Sequence, residues 1–132
     1  MDTSGIIPTV MTLHSILVLS LAAVAQAAAN KVEIVSVTGC VREQGANNWM
    51  VVAATDPVPS VANQAPPAEI PKTPPAGKNA FKLIGVGEFS LPTLRDRTVV
   101  VRGLLIKATP ASRINVTSIV EAVNSCAANA PK

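Results

Sequence analysis

The chain has 132 residues, of which 48% are hydrophobic, 14% are charged and only 2% are aromatic, and its formal net charge at pH 7 is +3. A mean hydropathy of +0.39 excludes an intrinsically disordered polar chain, because such chains contain too few apolar residues to form a core. The length allows one small domain. These values constrain the fold and the compartment, but they do not define an activity.

The first 29 residues are typical of a secretory signal peptide. Residues 16–25 (ILVLSLAAVA) form an apolar run that is too short for a transmembrane helix, which needs about 20 residues. Small residues follow this run and predict cleavage after Ala27 or after Ala29. No Lys or Arg precedes the run, so a buried N-terminal helix or an uncleaved anchor is the alternative. We expect a periplasmic or secreted domain of residues 30–132, without a transmembrane span after cleavage.

Signal cleavage would also remove the only imidazole side chain, because the only histidine, His14, lies in the signal peptide together with Asp2. The remaining 103 of the 132 residues then have a net charge of +4 and no imidazole. Common serine, cysteine and zinc hydrolases need histidine as a base or a ligand. We therefore predict a protein that is not an enzyme and has no metal and no cofactor. The carboxylates that a glycosidase mechanism would need are dispersed along the chain: Glu33, Glu43, Asp56, Glu69, Glu88, Asp96 and Glu121.

The two cysteines, Cys40 and Cys126, lie near opposite ends of the predicted domain. In an exported protein an isolated pair of cysteines predicts a disulfide. A C-x-x-C redox motif is absent from the sequence, so we expect a structural bond rather than a catalytic one. The bond would close a loop of about 86 residues, for which the chain-entropy model gives about 4.5 kcal/mol as an upper value. Two buried free thiols are the alternative if the protein is not exported.

Five segments with strand character follow one another along the domain, with turn residues between them. They are residues 31–43, 49–55, 80–86, 97–107 and 113–123. In the first segment Val35, Val37 and Val41 share one face. Gly39 lies on that face, where it would allow a bend or a close backbone approach. Residues 87–96 contain a proline and predict a turn or a single helical turn that closes one end of the sheet.

The order of three strands, a short helical turn and two further strands is the order of an OB-fold, which is a five-stranded barrel. The sequence contains T-G-C at 38–40, V-x-V-x-G at 99–103 and a cysteine, Cys126, near its end. In these motifs the chain resembles a group of small exported bacterial proteins of unknown function with an OB-like barrel. The resemblance covers about residues 35–126 without the proline-rich insertion. It implies an all-β, OB-like barrel and supplies no catalytic residues.

Residues 57–78 form a proline-rich loop between the second and third predicted strands, with seven of the 11 prolines of the chain. Proline has no backbone N–H, so we expect this loop to stay outside the sheet in extended, solvated conformations. One interpretation is a tolerated surface insertion, which we favour. The other is a loop that contacts a ligand or a partner protein.

Five basic residues cluster along the last two predicted strands and just before them: Arg95, Arg97, Arg102, Lys107 and Arg113. They could form a positive stripe that binds an anionic polysaccharide, a lipid headgroup or an envelope protein, although a solvated face explains them equally well. Binding of single-stranded nucleic acid needs aromatic platforms, and we expect Trp49, Phe81 and Phe89 to serve mainly in the core. We predict a non-catalytic exported binding module. The alternative is a structural or interaction protein of the cell envelope that acts through the proline-rich loop.

Overall fold

A computed structural model describes residues 32–132 of the chain, and the predicted signal peptide lies outside them. The described residues form six strands, one short α-helix and one turn of 3-10 helix at Pro67–Glu69. The other elements are β1 (Glu33–Glu43), β2 (Trp49–Ala54), β3 (Val58–Pro59), β4 (Asn79–Ile84), α1 (Leu91–Leu94), β5 (Thr98–Ile106) and β6 (Arg113–Val123). The mostly β fold and the helical turn before β5 are therefore confirmed. Within residues 32–132 there is no helix with the length and apolar character needed to cross a membrane.

The six strands belong to one sheet with the order β2-β4-β6-β5-β1-β3, and β2 also pairs with β1. Following these pairings from β1 through β2, β4, β6 and β5 leads back to β1. The β4–β6 pairing is parallel, whereas the others are antiparallel. Strands that lie far apart in the sequence, such as β4 and β6, are thereby brought side by side.

The hydrophobic core lies on one face of this sheet, because alternate strand residues project to the same side. Its buried members are Val37, Val41, Trp49, Val51, Ala54, Phe81, Leu83, Leu91, Val99, Val101, Ile114 and Val116. Helix α1 contributes Leu91, which is 1% exposed, and Phe89 and Leu94 pack against the same cluster. Three apolar residues of the predicted helical turn therefore pack on the core, as the sequence suggests.

Gly39 and Gly103 lie where two strands approach each other too closely for a side chain. A Cβ atom on Gly39 would lie 2.8 Å from the carbonyl oxygen of Val52. On Gly103 it would collide with the carbonyl oxygen of Asn115, next to a register shift between β5 and β6. The predicted close approach at Gly39 is thus confirmed, and both glycines are required by the packing of neighbouring backbone.

The predicted disulfide between Cys40 and Cys126 is present, with 5.4 Å between the two Cα atoms. It fixes the chain after β6 across the face of β1 and β2 that points away from the core. There Met50 and Val52 are buried against Cys40, and Ala130 packs on the same small cluster. The bond therefore joins the first strand to the C-terminal segment and closes a second apolar cluster.

The expectation that the proline-rich loop stays outside the sheet is wrong at its start. Val58 and Pro59 form β3 and pair with Ser36 and Val35 of β1. Pro59 is tolerated because β3 is an edge strand, where a missing N–H leaves no ladder partner unsatisfied. The amide of Ser60 then donates to the carbonyl of Ile34 over 2.9 Å. The loop begins as part of the sheet, so it is not a free insertion.

Candidate functional site

Arg102, one of the five predicted site residues, lies on β5 beneath the proline-rich loop and is only 4% exposed. It forms an ion pair with Glu69 of the loop, and its Nη1 donates to the carbonyl of Asn63 over 2.9 Å. Ser118 of β6 donates to the same carbonyl over 3.2 Å. We call these four residues the loop-covered flank. Here the arginine holds the loop on the sheet and is shielded from solvent.

Arg95 and Arg97 lie near α1, and each is neutralised by a carboxylate. Nη2 of Arg95 lies 2.9 Å from Oε1 of Glu43, and its guanidinium lies 5.4 Å from the centre of the Trp49 ring. Nη1 of Arg97 lies 2.5 Å from Oε1 of Glu121. Partly exposed pairs of this kind add at most about 1 kcal/mol to stability. They do, however, reduce the positive charge that either arginine presents to a ligand.

Lys107 and Arg113 lie in a different setting, together with Lys82. In the parallel β4–β6 pairing Lys82 is the Cα partner of Arg113, and Lys107 follows the last residue of β5. None of the three forms an ion pair with a carboxylate of residues 32–132. We call Lys82, Lys107 and Arg113 the basic rim. Of the predicted stripe, Lys107 and Arg113 are therefore the two cations that carry no ion pair within residues 32–132.

Sequence reasoning missed Lys82 as a site residue. It lies on β4 between the buried residues Phe81 and Leu83, so its polar position in the strand was visible. The strand order of an OB-fold, in which the third and fifth strands are neighbours, would have placed it beside Arg113. The sequence contains Lys82 and Arg113 at strand positions, but only the order of the strands in the sheet shows that they are neighbours.

An open groove of about 530 Å³ adjoins the basic rim. Its lining includes Pro57, Asn79, Phe81, Leu105, Lys107 and Ser112. Phe81 and Leu105 belong to the core or pack on it, so they give the groove an apolar floor, while Lys107 adds a positive charge. Asn79 is already engaged, because its Nδ2 donates to Asp56 over 2.8 Å. The groove combines apolar surface with an unpaired cation.

The side chains that line the groove determine which ligands would suit it. Its lining contains no carboxylate, imidazole or thiol. Within residues 32–132 no group of three or more His, Cys, Asp or Glu side chains is arranged to hold a metal ion. What the site offers is positive charge next to apolar surface, which suits an anion that has an apolar part.

The five basic residues predicted as one stripe therefore lie in three settings. Arg102 is buried in the loop-covered flank, Arg95 and Arg97 are paired near α1, and Lys107 and Arg113 join Lys82 in the basic rim. Comparison of the chain with models of protein families, with curated proteins and with solved structures finds no match.

Proposed function

We propose that this protein is a non-catalytic binding module for an anionic component of the cell envelope, and that the basic rim binds it. One observation carries the proposal. Within residues 32–132, four arginines each form an ion pair with a carboxylate, whereas Lys82 and Arg113 are direct neighbours in the sheet and, like Lys107 just after β5, form none. Unpaired cations close together produce a positive potential that attracts anions.

We further propose that the sheet closes into a five-stranded OB-like barrel, with β3 added at its edge. The support is the cycle of pairings that returns to β1, the parallel β4–β6 pair and the position of α1 between β4 and β5. Ligands of OB-folds bind on the second and third strands and at the connection between the last two strands. Here that connection carries Lys107, and Arg113 begins the strand after it.

A periplasmic or secreted location is part of the same proposal. The Cys40–Cys126 disulfide supports it, because disulfides form and persist in oxidising compartments. The apolar run at residues 16–25 supports it from the sequence. Export would place the basic rim among envelope polysaccharides, lipid headgroups and envelope proteins, all of which include anionic members.

A second candidate function is contact with a partner protein through the proline-rich loop. It is favoured by Val58 and Val61, which are 54% and 60% exposed. Against it, the loop engages Arg102 of the sheet through Glu69 and Asn63, which gives the loop a structural role. Replacing both valines with serine would abolish partner binding under this candidate. Under the first proposal the same change would leave anion binding unaltered.

Binding to dextran sulfate, a soluble polyanion, tests the first proposal. We expect Lys82→Gln with Arg113→Gln to weaken binding at low salt by about tenfold, because two unpaired cations are lost from one place. The matched control is Lys72→Gln with Lys132→Gln, which removes the same charge from exposed positions outside the basic rim. The control should change binding by less than about twofold. Equal losses in the two variants, or no binding by the unmodified protein, would contradict the proposal.

A further inference from the structure

Exposed apolar side chains continue the basic rim across neighbouring strands. Ile106, the last residue of β5, is the Cα partner of Arg113, which in turn is the partner of Lys82. Ile106 is 40% exposed and is one of four large aliphatic residues that are exposed within residues 32–132. An isoleucine that faces solvent beside two unpaired cations differs from a purely polar anion-binding surface.

Val32 extends this arrangement on the other side of Ile106. Glu33 of β1 is the Cα partner of Leu105 in the last pair of this antiparallel ladder, and Val32 and Ile106 are the residues that lie directly beyond that pair. Leu105 packs against the core, and its strand neighbour Ile106 therefore points outward. If the register continues by one residue, Val32 and Ile106 are opposed and project to the same face. Val32 is 59% exposed.

One residue from each of four adjacent chain segments thus lies at the same end of the sheet. We call these four residues the docking row: Val32, Ile106, Arg113 and Lys82. Two aliphatic side chains are followed by two cations, and Lys107 lies next to Ile106. Of the carboxylates, Glu33 follows Val32 in the chain and alternates to the opposite side, and Asp56 accepts a hydrogen bond from Asn79 of β4. Neither forms an ion pair with the basic rim.

We propose that the docking row binds the surface of an anionic lipid bilayer, with the cations at the lipid phosphates and the aliphatic side chains at headgroup depth. This inference rests on the proposed function and names the partner of the same site. A polysaccharide in solution would engage the cations but would gain little from two exposed aliphatic side chains. A lipid surface uses both, because interfacial binding combines apolar burial with attraction to anionic headgroups.

Flotation with lipid vesicles tests the inference. The protein is used in the form that accumulates in the producing cells, and intact mass fixes its first residue. Vesicles contain phosphatidylcholine alone or phosphatidylcholine with phosphatidylglycerol. We expect partition onto the anionic vesicles to fall about 25-fold in Lys82→Gln with Arg113→Gln, since each cation near such a surface contributes roughly fivefold. The control pair Lys72→Gln with Lys132→Gln should change partition by less than about twofold.

The apolar half of the docking row is tested with Ile106→Ser, for which we expect partition to fall about fivefold while binding to dextran sulfate is unchanged. Equal partition of this variant and the unmodified protein would overturn the lipid inference. Binding to dextran sulfate without binding to phosphatidylglycerol vesicles would also overturn it and would leave the proposed function standing. Binding to neither would contradict both.

Discussion

Arg102 and Arg113 lie on neighbouring strands of one sheet, yet their surroundings are opposite. Arg102 is almost fully buried in the loop-covered flank, where a carboxylate and a backbone carbonyl accept its hydrogen bonds. Arg113 is exposed in the basic rim beside two further cations and has no ion-pair partner within residues 32–132. The proline-rich loop that covers β5 therefore accounts for the difference: it buries and pairs Arg102, whereas Arg113 stays exposed to solvent.

Desolvation explains why Arg102 is paired and Arg113 is not. Burying a guanidinium costs several kcal/mol unless opposite charge and hydrogen-bond acceptors compensate for the lost water. In the loop-covered flank Glu69 and Asn63 provide that compensation, although Nε of Arg102 has no partner among the described residues. In the basic rim water solvates the cations, so they remain free to exchange water for an anion.

The largest effect on stability should come from the disulfide, which lies outside both regions and joins β1 to the C-terminal segment. We expect Cys40→Ala with Cys126→Ala to lower the free energy of unfolding by about 2–5 kcal/mol, because a loop of 86 residues is no longer closed. Urea unfolding measures the loss. The loop-covered flank and the basic rim should lose protection from hydrogen exchange together. A change below about 1 kcal/mol would show that the C-terminal segment is held without the bond.

Replacing each of these two arginines with alanine compares their contributions to the free energy of unfolding. Arg102→Ala should lower the free energy of unfolding by about 2–4 kcal/mol, since it leaves a cavity and removes the anchor of the proline-rich loop. Arg113→Ala should change it by no more than about 0.5 kcal/mol, as for other exposed positions. Urea unfolding of both variants under the same conditions compares them. Similar losses would mean that Arg113 also has a structural role.

A smaller and more local effect is expected when the carboxylate of the loop-covered flank is neutralised. Glu69→Gln should cost about 1 kcal/mol, a value reduced because the Glu69 side chain is 58% exposed. Hydrogen exchange should become faster in the proline-rich loop and stay unchanged in β4 and β6. Glu88→Gln, at an exposed carboxylate outside the ion pairs of the described residues, is the control. Faster exchange throughout the sheet would contradict a local role.

Much of the fold could be predicted because it depends on local pattern. Alternating valines predict β1, the predicted bounds of β6 match those observed, and an isolated cysteine pair predicts the disulfide. β3 could not be predicted in the same way. Pro59 can join the sheet only if it lies on an edge strand. Its position at the edge follows from the order of the other strands around β1, which the local sequence does not show.

The site was harder to predict, because its character depends on contacts between distant segments. Arg102 and Arg113 look alike in the sequence, since each is a basic residue in an apolar strand. Contacts with the proline-rich loop separate them, namely the ion pair with Glu69, 33 residues away, and the hydrogen bond to Asn63. Lys82 escaped notice because its neighbour in the sheet, Arg113, belongs to a strand much later in the chain. The sequence pattern therefore predicts which strands carry basic residues, whereas the strand order of the sheet determines which basic residues are neighbours.

The central claim is that unpaired cations, and not net charge, bind the anion. The most direct test compares two variants that each remove two positive charges: Lys82→Gln with Arg113→Gln in the basic rim, and Arg95→Gln with Arg97→Gln at the paired positions. Dissociation constants for dextran sulfate are measured at one low salt concentration. The account predicts about tenfold weaker binding for the first variant and no more than about twofold for the second. Equal weakening in both variants would contradict it.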